Sequence, residues 1–206
     1  YDPPQADRGL FSAGAYPGSV TDSDIVQANV KGATSVEKNR FLRQYNQEVR
    51  YVDDLTKDFI NVLPKNVLNK TIFILTADHG ESFGEHLSYG HANSLYQELV
   101  HIPLMMHGPG LSPNVVTRPV ALLDLGPTIM GIFGMPPPSS FTGQNLVPAL
   151  KGVQIEQKMI QTELASSVWP SVGLTSLVAK VRTSALKERG IVALRLANWK
   201  VIKKSD

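Results

Sequence analysis

The chain has 206 residues, 42% of them hydrophobic, with a formal charge of +2, five histidines and no cysteine. That length suffices for a sizeable core, and the lack of thiols excludes disulfides, thiolate nucleophiles and thiolate metal ligands. Basic residues gather only at Lys200, Lys203 and Lys204, so there is no basic stripe with interleaved aromatics and no nucleic-acid partner is expected.

Tyr1 to Thr34 is rich in Gly, Pro, Asp and Ser and reads as a crossing loop with local turns, long enough to form the rim of a larger domain. Ser35 to Leu63 is a predicted helix: Phe41, Tyr45, Val49, Val52, Leu55, Phe59 and Leu63 recur at three- or four-residue steps. Asp53, Asp54, Lys57 and Asp58 fall on its solvated sides, and Pro64 stops it. Thr71 to Thr76 is too short for a helix and lacks clean alternation, so it reads as a central strand covered on both faces. Ser94 to Leu99 is a candidate short helix and Ile102 to Met106 a second inner strand, closed by Gly108, Pro109 and Gly110. Met105 and Met106 are then core or near-core residues.

Val116 to Val120 reads as a short strand or extended crossing, and Leu122 to Phe133 as a helix with Pro127 in its first turn. Pro136 to Ser140 makes a stiff turn. Met159 to Leu164 has strand character, Ser166 to Ser171 is a loop carrying Trp169, and Ser176 to Arg182 fits either a strand or a short helix. Ile191 to Leu196 and Trp199 to Ile202 read as paired strands. The order helix, turn, strand is that of a parallel α/β layer.

The chemistry concentrates after the strand at Thr71 to Thr76, where Asp78, His79, Glu81, Glu85, His86 and His91 lie in one glycine-punctuated segment. In a parallel sheet ligands bind beyond the carboxyl ends of strands, which is where Asp78 and His79 fall. A carboxylate beside an imidazole offers an anionic oxygen and a neutral nitrogen to a divalent ion. The bland reading makes Asp78 a helix cap and His79 a surface residue. Glu81 and Glu85 fit helix-start solvation or a contact to His79 better than direct ligation. His91 has two readings: a ring that donates to a tetrahedral anion or protonates a leaving oxygen, or one that merely ties down the loop. His101 and His107, at the two ends of the second inner strand, are assigned structural roles.

The segment DHGESFGEH resembles the second metal-site motif of the sulfatases, within the alkaline phosphatase superfamily. YNQEVRYVDDL upstream and HANSLYQELVHIPLMMHGPG, VALLDLGPTIMGIFGMP and FTGQNLVPALKG downstream keep the order and spacing of that family, and RLANWKVIKK is similar to its RxxxWKxI pattern. The resemblance implies an α/β fold: a partial alkaline phosphatase-like sandwich with a mostly parallel sheet flanked by helices, plus a small antiparallel C-terminal subdomain. Residues 1–153 would be the C-terminal portion of a sulfatase-like catalytic domain, and 154–206 part of the small subdomain.

By resemblance, Asp78 and His79 are metal ligands, the ion being calcium in sulfatases and manganese or zinc in phosphate-transferring relatives. His91 stands 13 residues after Asp78, where many sulfatases carry a lysine that contacts the sulfate; it is the expected catalytic and substrate-binding residue. A histidine there also resembles phosphoethanolamine transferases. His86, in the GEH segment, is expected to line the substrate pocket or support its loop. The family's nucleophile arises from a CxPxR or SxPxR motif, and neither occurs here, so the chain is expected to be a fragment needing the N-terminal half of its catalytic domain. The implied activity is metal-dependent hydrolysis of a sulfuric ester of a small molecule, sugar or lipid. The alternatives are phosphonate or phosphodiester hydrolysis, phosphoethanolamine transfer, and a catalytically degenerate binding domain. A periplasmic, extracellular or membrane-associated setting is the expectation for such a family.

Overall fold

A computed structural model describes Asp2 and residues 19–92, 94–164, 191–196 and 199–204. The Trp169 loop and the Ser176 to Arg182 segment lie outside the described residues. The chain divides into two units, Tyr1–Asn93 with Glu98–Pro109, and Ser94–Gln97 with Gly110–Asp206.

In the first unit, α1 (Asp22–Lys31) forms where the sequence reads as loop. The reason is local: Thr21 and Asp24 make a reciprocal capping box, each satisfying a backbone amide at the helix start. A second box, Thr34 with Glu37, starts α2 (Ser35–Val62), 28 residues long. Only the first half of α2 is seated. Phe41, Gln44 and Gln47 are buried, whereas Val49, Val52, Leu55 and Phe59 of the expected packing stripe are about half exposed. Its solvated side is as read, with Arg50 paired to Asp54 at 2.7 Å one turn on. Pro64 ends the helix and leads through the single turn α3 (Lys65–Leu68) to β1 (Phe73–Thr76).

After β1 come a small hairpin, β2 (Ser82–Phe83) and β3 (Tyr89–Gly90), the short α4 (Gln97–Val100), and β4 (Leu104–His107). The parallel sheet expected from the sequence is not what forms. β4 pairs with β1 antiparallel, Phe73 opposite His107 and Thr76 opposite Leu104, and every strand pair among the described residues is antiparallel. A parallel return needs a crossover connection, usually an α-helix, that carries the chain back to the start of β1. Here, among the described residues, the intervening chain holds the hairpin with a 3-10 turn at Glu85–Leu87 and a four-residue helix. It stays at the end of β1 where it began, and the next strand runs back. Coverage of both faces also fails: Leu75 is 41% and Met105 58% exposed.

The core of this unit is Val20, Ala28, Phe41 and Tyr89, with Ile25, Ala33 and Phe83 packed against it. Phe41 meets the Tyr89 ring edge-on at 6.0 Å, and Tyr45 meets Phe83 likewise at 5.0 Å. Full burial of an aromatic such as Phe41 is worth about 1.5–3 kcal/mol, so the hairpin is anchored to the helices through its ring positions.

In the second unit a helical turn at Leu122–Asp124 runs into α5 (Leu125–Ile132), followed by α6 (Val147–Leu150). Asp124, buried, accepts from Ala121 N and Gln144 N, while Thr128 donates to Asp124 O and accepts from Leu146 N at 2.9 Å. The DLGPT segment is therefore a buried polar knot. Residues 116–120 form no strand. β5 (Ile160–Leu164), β6 (Ile191–Leu196) and β7 (Trp199–Lys204) make a three-stranded antiparallel sheet, and the expected pairing of the last two strands is present. Among the described residues, no helix is long and apolar enough to cross a membrane.

Candidate functional site

The site begins where β1 ends. Thr76 Oγ1 donates to Pro103 O at 2.8 Å, and Gly80 N donates to Leu99 O at 2.8 Å, so the exit from the strand is tied to the returning chain. Gly80 is required there: a Cβ would fall 2.0 Å from Glu98 O. Between these two ties Asp78 and His79 face outward. Asp78 does not cap a helix; its Oδ1 accepts from His79 N at 2.9 Å. The backbone amide of His79, its own amide and the His79 ring hold the Asp78 carboxyl below its usual range.

His79 Nδ1 lies 2.8 Å from Gly80 O. A carbonyl only accepts, so Nδ1 carries the proton and a neutral ring leaves the Nε2 lone pair open. That nitrogen faces Asp78 Oδ2 at 3.7 Å, outside hydrogen-bond reach. Two donors of different chemistry thus stand side by side without sharing a proton, an arrangement that suits a divalent cation. An oxygen with an imidazole nitrogen is compatible with calcium, manganese or zinc alike. Among the described residues no group of three or more His, Cys, Asp or Glu side chains is placed to hold a metal ion by itself.

The β2–β3 hairpin brings in His91. Ser82 pairs with Gly90, which sets Glu81, one residue before the hairpin, across from His91, one residue after it. His91 Nδ1 lies 3.2 and 3.3 Å from the two Glu81 oxygens, and its ring stacks on His79 with centroids 4.3 Å apart and planes at 29°. Glu81 therefore contacts His91, not His79 as expected, and Glu85 is spent within the turn, its carboxylate accepting from Phe83 N at 2.6 Å. His86 is not in the stack. It sits at φ 51°, with Leu87 beside it at φ 58°, and its Nδ1 donates to Glu98 Oε1 at 2.8 Å. Left-handed backbone at two successive non-glycine residues is strained, and the His86–Glu98 bond helps hold it. His101 and His107 are exposed before and at the end of β4.

One contributor was not visible in the sequence. Asn29 on α1 donates to Tyr89 O at 2.9 Å and accepts from Tyr89 N at 3.1 Å, standing where a further strand would pair with β3, two residues before His91. The capping box at Thr21 and Asp24 is the signal that marks its helix.

The architecture and motif together define a member of an established hydrolase family. A family model described as Sulfatase matches residues 11–135, and the chain belongs to that family. It is similar to arylsulfatase K of Rattus norvegicus, 40% identical over 98 residues, which are 47% of this chain and 17% of that protein. Among solved structures it resembles the phosphonate monoester hydrolase of Agrobacterium radiobacter with a TM-score of 0.67 at 23% identity, covering 92% of this chain and 36% of that one. A 2-O GAG sulfatase gives 0.65 at 20% identity, covering 87% and 36%. These structural likenesses show a fold shared with those two hydrolases. The chain spans about a quarter or less of the length of the curated relatives it matches.

Proposed function

We propose that the protein carrying this chain hydrolyses a sulfuric ester with a divalent cation, calcium by resemblance, for which Asp78 and His79 are two ligands. The observation that carries the reading is the gathering of Asp78, His79 and His91 at the exit of β1, inside the segment that matches the Sulfatase family. Such a cation, when bound, supplies positive charge against which negative charge develops during transfer. Gly80 O fixes the His79 tautomer that leaves Nε2 available, and Asp78 contributes a carboxylate whose titration the His79 amide and ring hold below the usual range. His91, stacked on His79, presents its remaining nitrogen to the transferred group; protonated, Nε2–H donates to an anionic oxygen or gives its proton to the departing alcohol. The roles assigned to these residues are therefore those of cation ligation and of contact with the transferred group, not of nucleophilic attack. Sugar and lipid esters are equally compatible with these residues, and an extracytosolic setting follows only from the resemblance.

A phosphonate or phosphodiester substrate is the second reading. One observation favours it: the likeness to phosphonate monoester hydrolases. Paired turnover of aryl sulfate and aryl phosphonate esters by the full-length protein, before and after metal removal and readdition, separates the two. Asp78→Asn should lower both metal content and turnover. Turnover that ignores metal removal, or an Asp78→Asn protein equal to wild type in both measures, would overturn the reading.

A further inference from the structure

We propose that Glu81 is the positioning residue for His91, accepting from the ring's Nδ1–H so that, in the protonated ring, Nε2–H is the donor offered to the anionic group of the substrate. The inference rests on the reading of His91 above. A carboxylate can only accept, so both Glu81 oxygens, 3.2 and 3.3 Å from Nδ1, select the tautomer with the proton on that nitrogen. Of the two side chains, the carboxylate is 10% exposed and the ring 43%. The anchor is buried and the anchored group reaches solvent, which is the arrangement of a support rather than of a surface ion pair.

The backbone is built around this contact. Gly90 sits at φ +80°, and a Cβ on it would lie 2.8 Å from Ile25 Cγ2 and 3.8 Å from Glu81 Oε1. A larger residue would push the strand off the helix that backs it, just before His91. Asn29 fixes Tyr89 from the same side. With one edge of the His91 ring on Glu81 and one face on His79, the open nitrogen has a single direction left to it. An unanchored imidazole samples both tautomers and both ring flips, so the loss on removing Glu81 falls on the reaction step and not on cation retention.

The test uses the full-length protein with its metal, in the variants Glu81→Leu, Glu81→Gln and His91→Ala, and Glu81→Leu combined with His91→Ala. Imidazole nitrogen spectra of the neutral ring should show His91 protonated at Nδ1 in wild type and in Glu81→Gln, whose amide oxygen still accepts, and shifted toward Nε2–H in Glu81→Leu. On an aryl ester, Glu81→Leu should lower kcat roughly 10- to 100-fold with KM and metal content unchanged. Glu81→Gln should recover most of the loss, and Glu81→Leu should add nothing once His91 is alanine. A wild-type His91 protonated at Nε2, an unchanged kcat in Glu81→Leu, a loss of metal in that variant, or its full effect persisting beside His91→Ala would each overturn the proposal. Should Glu81→Leu not fold, the wild-type and Glu81→Gln spectra decide. If His91→Ala itself leaves turnover intact, the reading of His91 falls, while the spectra still report on Glu81.

Discussion

Replacing Asn29 with alanine tests whether the hairpin that carries His91 is held by one amide. The substitution removes the bonds to Tyr89 N and Tyr89 O, 3.1 and 2.9 Å, and the 2.9 Å bond to Ile25 O. Tyr89 is 4% exposed, so its two backbone groups would lose their partner in a buried position. Each such loss costs about 1–3 kcal/mol. Two effects oppose it: Asn29 is itself only half-buried, so water can reach the vacated space, and alanine is the better helix former by about 0.6 kcal/mol. The balance is a destabilisation of about 2 kcal/mol. By urea denaturation Asn29→Ala should lose that amount, and the Tyr89 amide should exchange its proton about 30-fold faster, the ratio that 2 kcal/mol represents. Asn29→Asp should be no better, because it keeps the acceptor for Tyr89 N but turns an oxygen toward the carbonyls of Tyr89 and Ile25. Thr56→Ala, which removes an exposed bond inside α2, is the control and should change stability by less than about 0.5 kcal/mol. A loss below about 1 kcal/mol in Asn29→Ala, with Tyr89 exchange unchanged, would refute the role given to this amide.

Two further outcomes are expected. Burial works to raise the Asp24 carboxyl, but the Thr21 amide and hydroxyl, with the Arg40 guanidinium at 3.6 Å, outweigh it and hold it below its usual value. Because the folded value is depressed, the stabilisation is full above the unfolded pKa of about 3.9 and disappears as pH falls through the folded one. Carboxyl NMR should show a midpoint below 3.8, and Thr21→Ala should move it upward and destabilise α1 by about 1 kcal/mol. In the second unit, Thr128→Val keeps the shape but leaves Leu146 N without its acceptor in a site with no exposure, at a cost of about 1–3 kcal/mol. A melting curve that does not move would show that the DLGPT knot is not held through that hydroxyl.

Periodicity made α2 legible because its apolar spacing repeats over many turns, yet the same spacing could not reveal that Val52, Leu55 and Phe59 stay half exposed. The apolar runs of β1 and β4 were legible as strands, but a run of Ile, Phe and Leu has no arrow in it. Direction is set by the path of the intervening chain, and here a hairpin and a four-residue helix return it antiparallel. α1 escaped because DSDIVQANVK is weakly amphipathic and follows a Gly- and Pro-rich stretch, although its capping box was on the page. At the site, Asp78 and His79 were legible as neighbours in sequence. The Glu81–His91 contact was not, since it depends on the register of β2 with β3, which no local pattern prints.

The β1–β4 ribbon is only two strands wide among the described residues, and a pair of strands alone is marginal in water. Its extra support comes from the loop itself, through Thr76 to Pro103 and Gly80 to Leu99. Strand and site therefore belong to one cooperative unit that opens and closes together, in which whatever steadies the loop also protects the ribbon from fraying. A ligand held by Asp78 and His79 would act as a clasp on that unit, raising its resistance to proteolysis along with its order.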